Sequence, residues 1–177
     1  MSETTFNELL AAQIGNEFAA SQQYIAIAVW FDNQDLPQLA AHFYRQSLEE
    51  RNHAMMLVQY RLDRGLEIQI PGVPPVRNDF LNAVEPIHLA LEQEKQVTSQ
   101  IEALFKAARA DGDALGEQAM LWFLKEQIEE VASMSTLLTV AKRAGDNWFD
   151  LENFVAREHV GDGGLEADAP GAAGGAL

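Results

Sequence analysis

The chain has 177 residues, 47% of them hydrophobic, which is enough for one compact domain with a sizeable core. Its 27 acids against 12 Lys and Arg leave a formal charge of -15, which argues against a phosphate-backbone partner and suits cations. With no cysteine, disulfides, thiolate zinc sites and iron-sulfur clusters are excluded, so any metal chemistry must use Glu, Asp and His.

The start is polar and acidic rather than a basic region followed by an apolar run, and no uninterrupted apolar stretch is long enough to span a bilayer. A cytoplasmic protein without a membrane partner is expected. From about Thr5 to Asp32, Leu10, Ile14, Glu17, Ser21, Tyr24, Ala28 and Phe31 recur in steps of four and three, which predicts a long amphipathic helix capped by Thr4 or Thr5. Asn33 to Pro37 is a short break, with Pro37 suited to the first turn of a second helix, so the first two helices are antiparallel neighbours. The second runs from Pro37 to Arg64 with Leu39, Phe43, Gln46, Glu50, His53, Leu57 and Tyr60 on its stripe, and Gly65 stops it.

Leu66 to Asp79 carries Pro71, Gly72, Pro74 and Pro75 among Ile68, Ile70, Val73 and Val76, which favours extended chain over helix. At about 3.3 Å per residue it can cover ~45 Å, while a helix of about 28 residues is ~42 Å long. The segment can thus cross the full length of a bundle and start the third helix beside the start of the second. A third helix is expected over about Asn82 to Ala110, with Val84, Ile87, Leu91, Glu94, Thr98, Ile101, Phe105 and Ala108 on its stripe. Asp113 caps a fourth, Ala114 to Ala144, striped by Met120, Phe123, Gln127, Glu130, Met134, Leu137 and Ala141 and ended by Gly145. Trp148 to Glu158 is a short fifth helix whose apolar side, Trp148, Leu151, Phe154 and Val155, must dock on the bundle or on another subunit. The fold expected is all-α: a four-helix bundle, residues 1–160, with one long crossover between helices 2 and 3 and a fifth C-terminal helix. Residues 161–177, rich in Gly, Ala, Pro and acid, are expected to form a flexible tail.

Each of the four stripes carries an acid near its middle: Glu17, Glu50, Glu94 and Glu130. Glu50 and His53, three apart, share one helix face and can grip one ion. Four buried carboxylates without cations are unfavourable, since each costs several kcal/mol and like charges repel. Two divalent ions reverse that: Glu50 can bridge, Glu17 and His53 complete one site, and Glu94 with Glu130 the other. Oxygen donors plus one imidazole suit Fe²⁺, Mn²⁺ or Zn²⁺. Tyr24 and Gln127 lie on the same stripes and can orient ligands. Two Fe²⁺ ions side by side can deliver two electrons to O₂ between them.

Taken singly, each of these residues has a blander role. A lone Glu-x-x-His is more often a solvated face, a lone Tyr24 a core aromatic, and the acids surface groups; the conjunction of four acids on four stripes at one level is what points to metal. Met55, Met56, Met120 and Met134 read as core filler, and His42, His88 and His159 as structural or surface residues. Glu49, Glu126 and Glu129 lie beside the site by sequence and form either a third metal position, a path to an interior surface, or a hydrated acidic face.

The run Asn16-Glu17-Phe18 with Tyr24, Glu49-Glu50-Arg51-Asn52-His53-Ala54, Glu94, and Glu126-Gln127-Ile128-Glu129-Glu130-Val131 resembles the bacterial non-haem ferritins, most of all the actinobacterial members, over residues 5 to 158. The resemblance implies a ferritin-like fold and a hollow homo-oligomeric shell of about two dozen subunits that oxidises Fe²⁺ with O₂ as a ferroxidase and stores ferric mineral. It makes Glu17, Glu50, His53, Glu94 and Glu130 the catalytic di-iron ligands, and Glu49, Glu126 and Glu129 a third iron site. The chain departs from the general di-iron pattern at Ser133, where a second Glu-x-x-His would place His. Haem-binding relatives resemble one another in a Met after the bridging Glu, where Arg51 stands here, so no haem is expected. The tail lies outside the resemblance; it is either dispensable or a docking peptide for another protein, such as an enclosing compartment. The competing functions are a divalent-cation-binding assembly without redox turnover, a mini-ferritin-type stress protein, and a di-iron oxygenase, the last disfavoured by the missing second His.

Overall fold

The structure, a computed structural model, describes residues 5–158 and 169–177. Thr4, His159 and the expected boundary at residue 160 lie outside the described residues. Five helices, and no strand among the described residues, follow in the expected order: α1 Phe6–Asp32, α2 Pro37–Asp63, α3 Val84–Ala110, α4 Ala114–Ala144 and α5 Trp148–Glu158. No helix among them is long and apolar enough to cross a membrane.

The helix ends form where local chemistry puts them. Thr5 makes a reciprocal capping box with Glu8, its hydroxyl accepting from the Glu8 N–H while the Glu8 carboxylate accepts from the Thr5 N–H at 2.8 Å. Asp113 accepts from Gly116 N–H at 3.0 Å at the start of α4. Gly65 follows α2 with φ +67, a conformation that favours glycine. The start of α2 is different, because Leu36 offers no side-chain cap. Glu152 of α5 does this work from 114 residues away, accepting from the N–H groups of Gln38 and Leu39. That cap, with the buried Leu151 and Val155 and the ring contact of Trp148 with Trp30 at 6.0 Å, docks α5 on its own bundle.

α1 pairs with α2, α3 with α4, and α1 with α3, while α5 touches α2 and α4. The crossover runs beside α1 from start to end. Arg61 ties Glu67 O to Asn7 O, Gly15 meets Pro71, Gln23 exchanges two 2.8 Å hydrogen bonds with the Arg77 backbone, and Trp30 packs on Phe80. α3 therefore begins beside the end of α1 and the start of α2, as the length argument predicts. The helix order around the bundle is α2, α1, α3, α4, and the ring closes loosely: no α2 Cα lies within 8 Å of an α4 Cα.

Gly15 sets how close the crossover comes. A Cβ there would stand 2.9 Å from Pro71 Cγ, part of a rigid ring. Gly15→Ala is expected to cost about 1–2 kcal/mol despite its better helix propensity, since overpacking typically costs 1–3 kcal/mol. Adding Pro71→Ala, which removes the opposing atom, should recover most of the loss in a double-mutant cycle of denaturant midpoints; an additive result would show that the contact is not the cause.

Two apolar clusters flank the middle of the bundle. One holds Tyr24, Phe31, Phe43, Ile87, Leu137 and Leu151. The other holds Phe6, Ile14, Leu57, Ile101, Met120 and Phe123. Between them lies a polar layer of Glu17, Gln46, Glu50, His53, Glu94, Gln127 and Glu130, all buried.

Candidate metal centre

Helical periodicity brings the four acids to one level, because each sits mid-stripe on a helix of 27 to 31 residues paired with antiparallel neighbours. Glu50 and Glu94 are fully buried, Glu17 is 1% exposed and Glu130 8%. Glu17, Glu50 and His53 each present a ligand atom within 4.8 Å of the others. His53 Nδ1 lies 3.5 Å from Glu50 Oε2. Among the described residues no N–H or hydroxyl donor satisfies either Glu50 oxygen or Glu17 Oε2, although all three are buried. Buried oxygens of this kind are costly unless something supplies positive charge, so the donor set fits a divalent cation.

Glu94 and Glu130 fall outside that three-ligand group. Glu94 is held by the Tyr24 hydroxyl, which donates to its Oε1, and by Gln127 Nε2 at 3.4 Å. Gln127 is in turn oriented by the Thr98 hydroxyl at 2.9 Å. Tyr24 and Gln127 therefore hold a ligand rather than provide one. Glu130 and Glu94 still act on Glu50 through charge.

The electrostatics follow from burial. Desolvation, with Glu94 and Glu17 nearby, holds the Glu50 carboxyl well above the carboxylate range. Glu94 is pushed up to about 7, chiefly by burial. Burial and the Glu49 charge raise Glu130 well above its ordinary value. Burial lowers His53, which keeps its imidazole neutral and available as a ligand. The Tyr24 phenol is raised by burial and by the Glu94 and Glu50 charges, so it stays a proton donor to Glu94.

The neighbouring acidic group is assembled differently from the sequence expectation. Glu49, His53 and Glu126 form a second set of ligand atoms within 4.8 Å of one another, so His53 is common to both sets. Glu129 is exposed and is not among these three. Gln46 donates to Glu49 Oε2 at 2.8 Å, and burial raises the Glu49 carboxyl.

Sequence reasoning passed over Gln13, whose Nε2 donates to Glu17 Oε1 at 2.8 Å inside the core. Its signal was present: Gln13 stands one helical turn before a ligand on the same face. Trp122 was also passed over; its ring lies edge-on to His53 at 6.0 Å. Of the histidines set aside, His42 is a buried residue packed on Phe43 and His88 is exposed. Met56, Met120 and Met134 are buried in the apolar core, and Met55 is half-buried.

The family model of the ferritin-like domain matches residues 7–144. The chain is 61% identical to ferritin BfrB of Mycolicibacterium smegmatis over 175 residues, 99% of this chain and 96% of that protein. It is 33% identical over 140 residues to the bacterial non-heme ferritin of Staphylococcus aureus, 79% of this chain and 84% of the relative. An open pore ferritin from the archaeon Archaeoglobus fulgidus shares the fold with a TM-score of 0.82 at 24% identity, over 85% of this chain and 93% of that one. The four-helix bundle with its long crossover, the buried acid layer and these matches together place the chain in the ferritin family.

Proposed function

We propose that this protein stores iron: it takes Fe²⁺ as substrate at the Glu17, Glu50, His53, Glu94 and Glu130 layer, oxidises it with O₂, and retains ferric mineral within a shell of its own copies. The observation that carries this reading is the Glu50 carboxylate, fully buried, with both oxygens unsatisfied and Glu17 and His53 converging on it. The names of the relatives at 61% and 33% identity, both ferritins, support it.

Glu50 bridges two ions, Glu17 and His53 hold one, and Glu94 with Glu130 hold the other. Two adjacent Fe²⁺ ions supply two electrons together. With a single imidazole the two positions are unequal, which suits iron in passage better than a permanently held cofactor. Tyr24, Gln127 and Gln13 keep their carboxylates oriented as ions come and go. Glu49 and Glu126, sharing His53, form the third metal position. Glu129, exposed beside them, is part of the acidic approach. With Arg51 following Glu50, the reading includes no haem.

Assembly is supported by an exposed apolar face. Ile25 and Val29, one turn apart on α1, and Tyr44 and Leu48, one turn apart on α2, are each 37–44% exposed. They lie at similar heights on adjacent antiparallel helices, since Ser21 bonds Ser47 O and Tyr44 bonds Asp32. An apolar face of this kind is covered by another subunit in a closed shell of about two dozen. The cytoplasm, where Fe²⁺ is available, is the compartment this function needs.

Fe²⁺ added in air to metal-free protein tests the reading by oxygen uptake, followed by gel filtration with protein and ferric absorbance recorded together. Rapid uptake and many irons per chain eluting with a large shell are expected. Binding of about two ions per chain without oxygen uptake or a shell would leave a cation-binding assembly instead.

A further inference from the structure

Residues 169–177 depart from the flexible tail expected there. Ala169, Ala172 and Ala173 pack against the apolar cluster of Met56, Leu57, Met120 and Phe123. Ala173 N–H donates to Met55 O at 3.0 Å. Asn52 then clamps the main chain of Leu177 from both sides, donating to its O and accepting from its N–H, each at 3.1 Å. The reason sequence composition misled is that small residues let a backbone approach a helix closely, and the partner groups sit 118 to 125 residues away.

The segment lies on the side of the bundle where α2 and α4 stand apart. Pro170 forms one wall of a pocket of about 440 Å³, lined by Tyr60 and Asp63 of α2, by Arg64 just after it, and by Ala119 and Trp122 of α4. From Pro170 to Leu177 the segment runs along α2 towards its start, from beside Tyr60, past Met55, to Asn52. Asn52 is the residue before His53 and lies one turn from Glu49. On the facing helix Trp122 packs on His53 and stands one turn before Glu126. Through Asn52 the segment thus reaches the edge of the Glu49, His53 and Glu126 group.

We propose that residues 169–177 are a strap that covers the open α2–α4 side and slows the passage of metal ions to the Glu49, His53 and Glu126 group. This rests on the metal-binding reading above. Among the described residues the hold is light: three hydrogen bonds to α2, alanine side chains that bury little area, and a turn at Gly174 and Gly175 with φ of +77 and +84. A light hold lets the strap open and close rather than seal the groove.

The test compares the full chain with a form ending at Asp168 and with Gly174→Val/Gly175→Val, which strains the turn without touching a ligand. Acrylamide quenching of Trp122 fluorescence reads coverage without metal; Trp30 and Trp148 pack on each other and on the other apolar cluster, not the one that the strap touches. Growth of the Co²⁺ absorption band in stopped flow reads access without oxygen chemistry. Both variants are expected to show stronger quenching, absent in a Trp122→Phe background, and several-fold faster Co²⁺ entry at unchanged stoichiometry. Stronger quenching with an unchanged Co²⁺ rate would overturn the control of access, and unchanged quenching would overturn the strap itself. Absence of any Co²⁺ band in all forms would instead overturn the metal reading, and the access role with it, while the quenching still reports the cover.

Discussion

Glu50→Ala is expected to abolish the fast phase of Fe²⁺ oxidation while leaving the fold and the shell intact. Glu50 shares its ligand set with Glu17 and His53 and also feels the charges of Glu94 and Glu130. On the proposed reading its loss leaves no bridge, so a pair of ions that must act together is replaced by separately held ones. Removing even an orienting partner of a metal ligand costs about 10–100-fold, so deletion of the bridge should lower the fast rate by ~100-fold or more. Stability should not fall in proportion. The substitution leaves a small cavity, but it also deletes a buried acid that no donor satisfies. Stopped-flow absorbance on Fe²⁺ addition, with circular dichroism melts and gel filtration beside it, separates the two effects. A retained fast phase would remove Glu50 from the bridging role, and loss of the fold would show that its contribution is structural.

The second large effect is on pH dependence. Metal-free protein is expected to become less stable as pH rises from about 5 to 8. Glu94 is raised from 4.5 to about 7, and Glu50, Glu130 and Glu49 are raised too, all mainly by burial. Between 4.5 and 7 the folded chain keeps protons that the unfolded chain has lost, so each step up in pH favours unfolding. Glu94 alone accounts for on the order of 3 kcal/mol over that interval. His53, lowered by burial, works in the opposite sense below its ordinary value of 6.5, but it is one group against four. Glu8 and Asp113, held below their usual values by the hydrogen bonds of their caps and by Arg64, act at lower pH and do not offset the trend.

Divalent ions should reverse it. Cations compete with the protons on these carboxyls, so loaded protein is expected to hold or gain stability over the same range and to release protons on loading. Denaturant midpoints at pH 5, 6, 7 and 8, with chelator and with Co²⁺, check this directly. Midpoints of the metal-free protein that climb steadily with pH would mean that the acid layer is solvated, contrary to its burial.

The chain by itself determined the five helices, their order and the four residues that make the acid layer. Those features are written locally: a 3.6-residue period marks each stripe, Thr5 and Asp113 start helices, Gly65 and Gly145 end them, and the prolines of the crossover forbid a sixth. An acid in the middle of an apolar stripe is also visible from spacing alone, which is why Glu17, Glu50, Glu94 and Glu130 stood out. Only the tertiary structure decided how the layer is shared. It gave Gln13 to Glu17, Tyr24 and Gln127 to Glu94, and His53 to two acid groups, and it left Glu129 outside. It also capped α2 with Glu152 and seated residues 169–177 against α2. These depend on side-chain rotamers and on pairs up to 125 residues apart, to which a helical period is blind, because it reports which face a residue occupies and not what stands opposite.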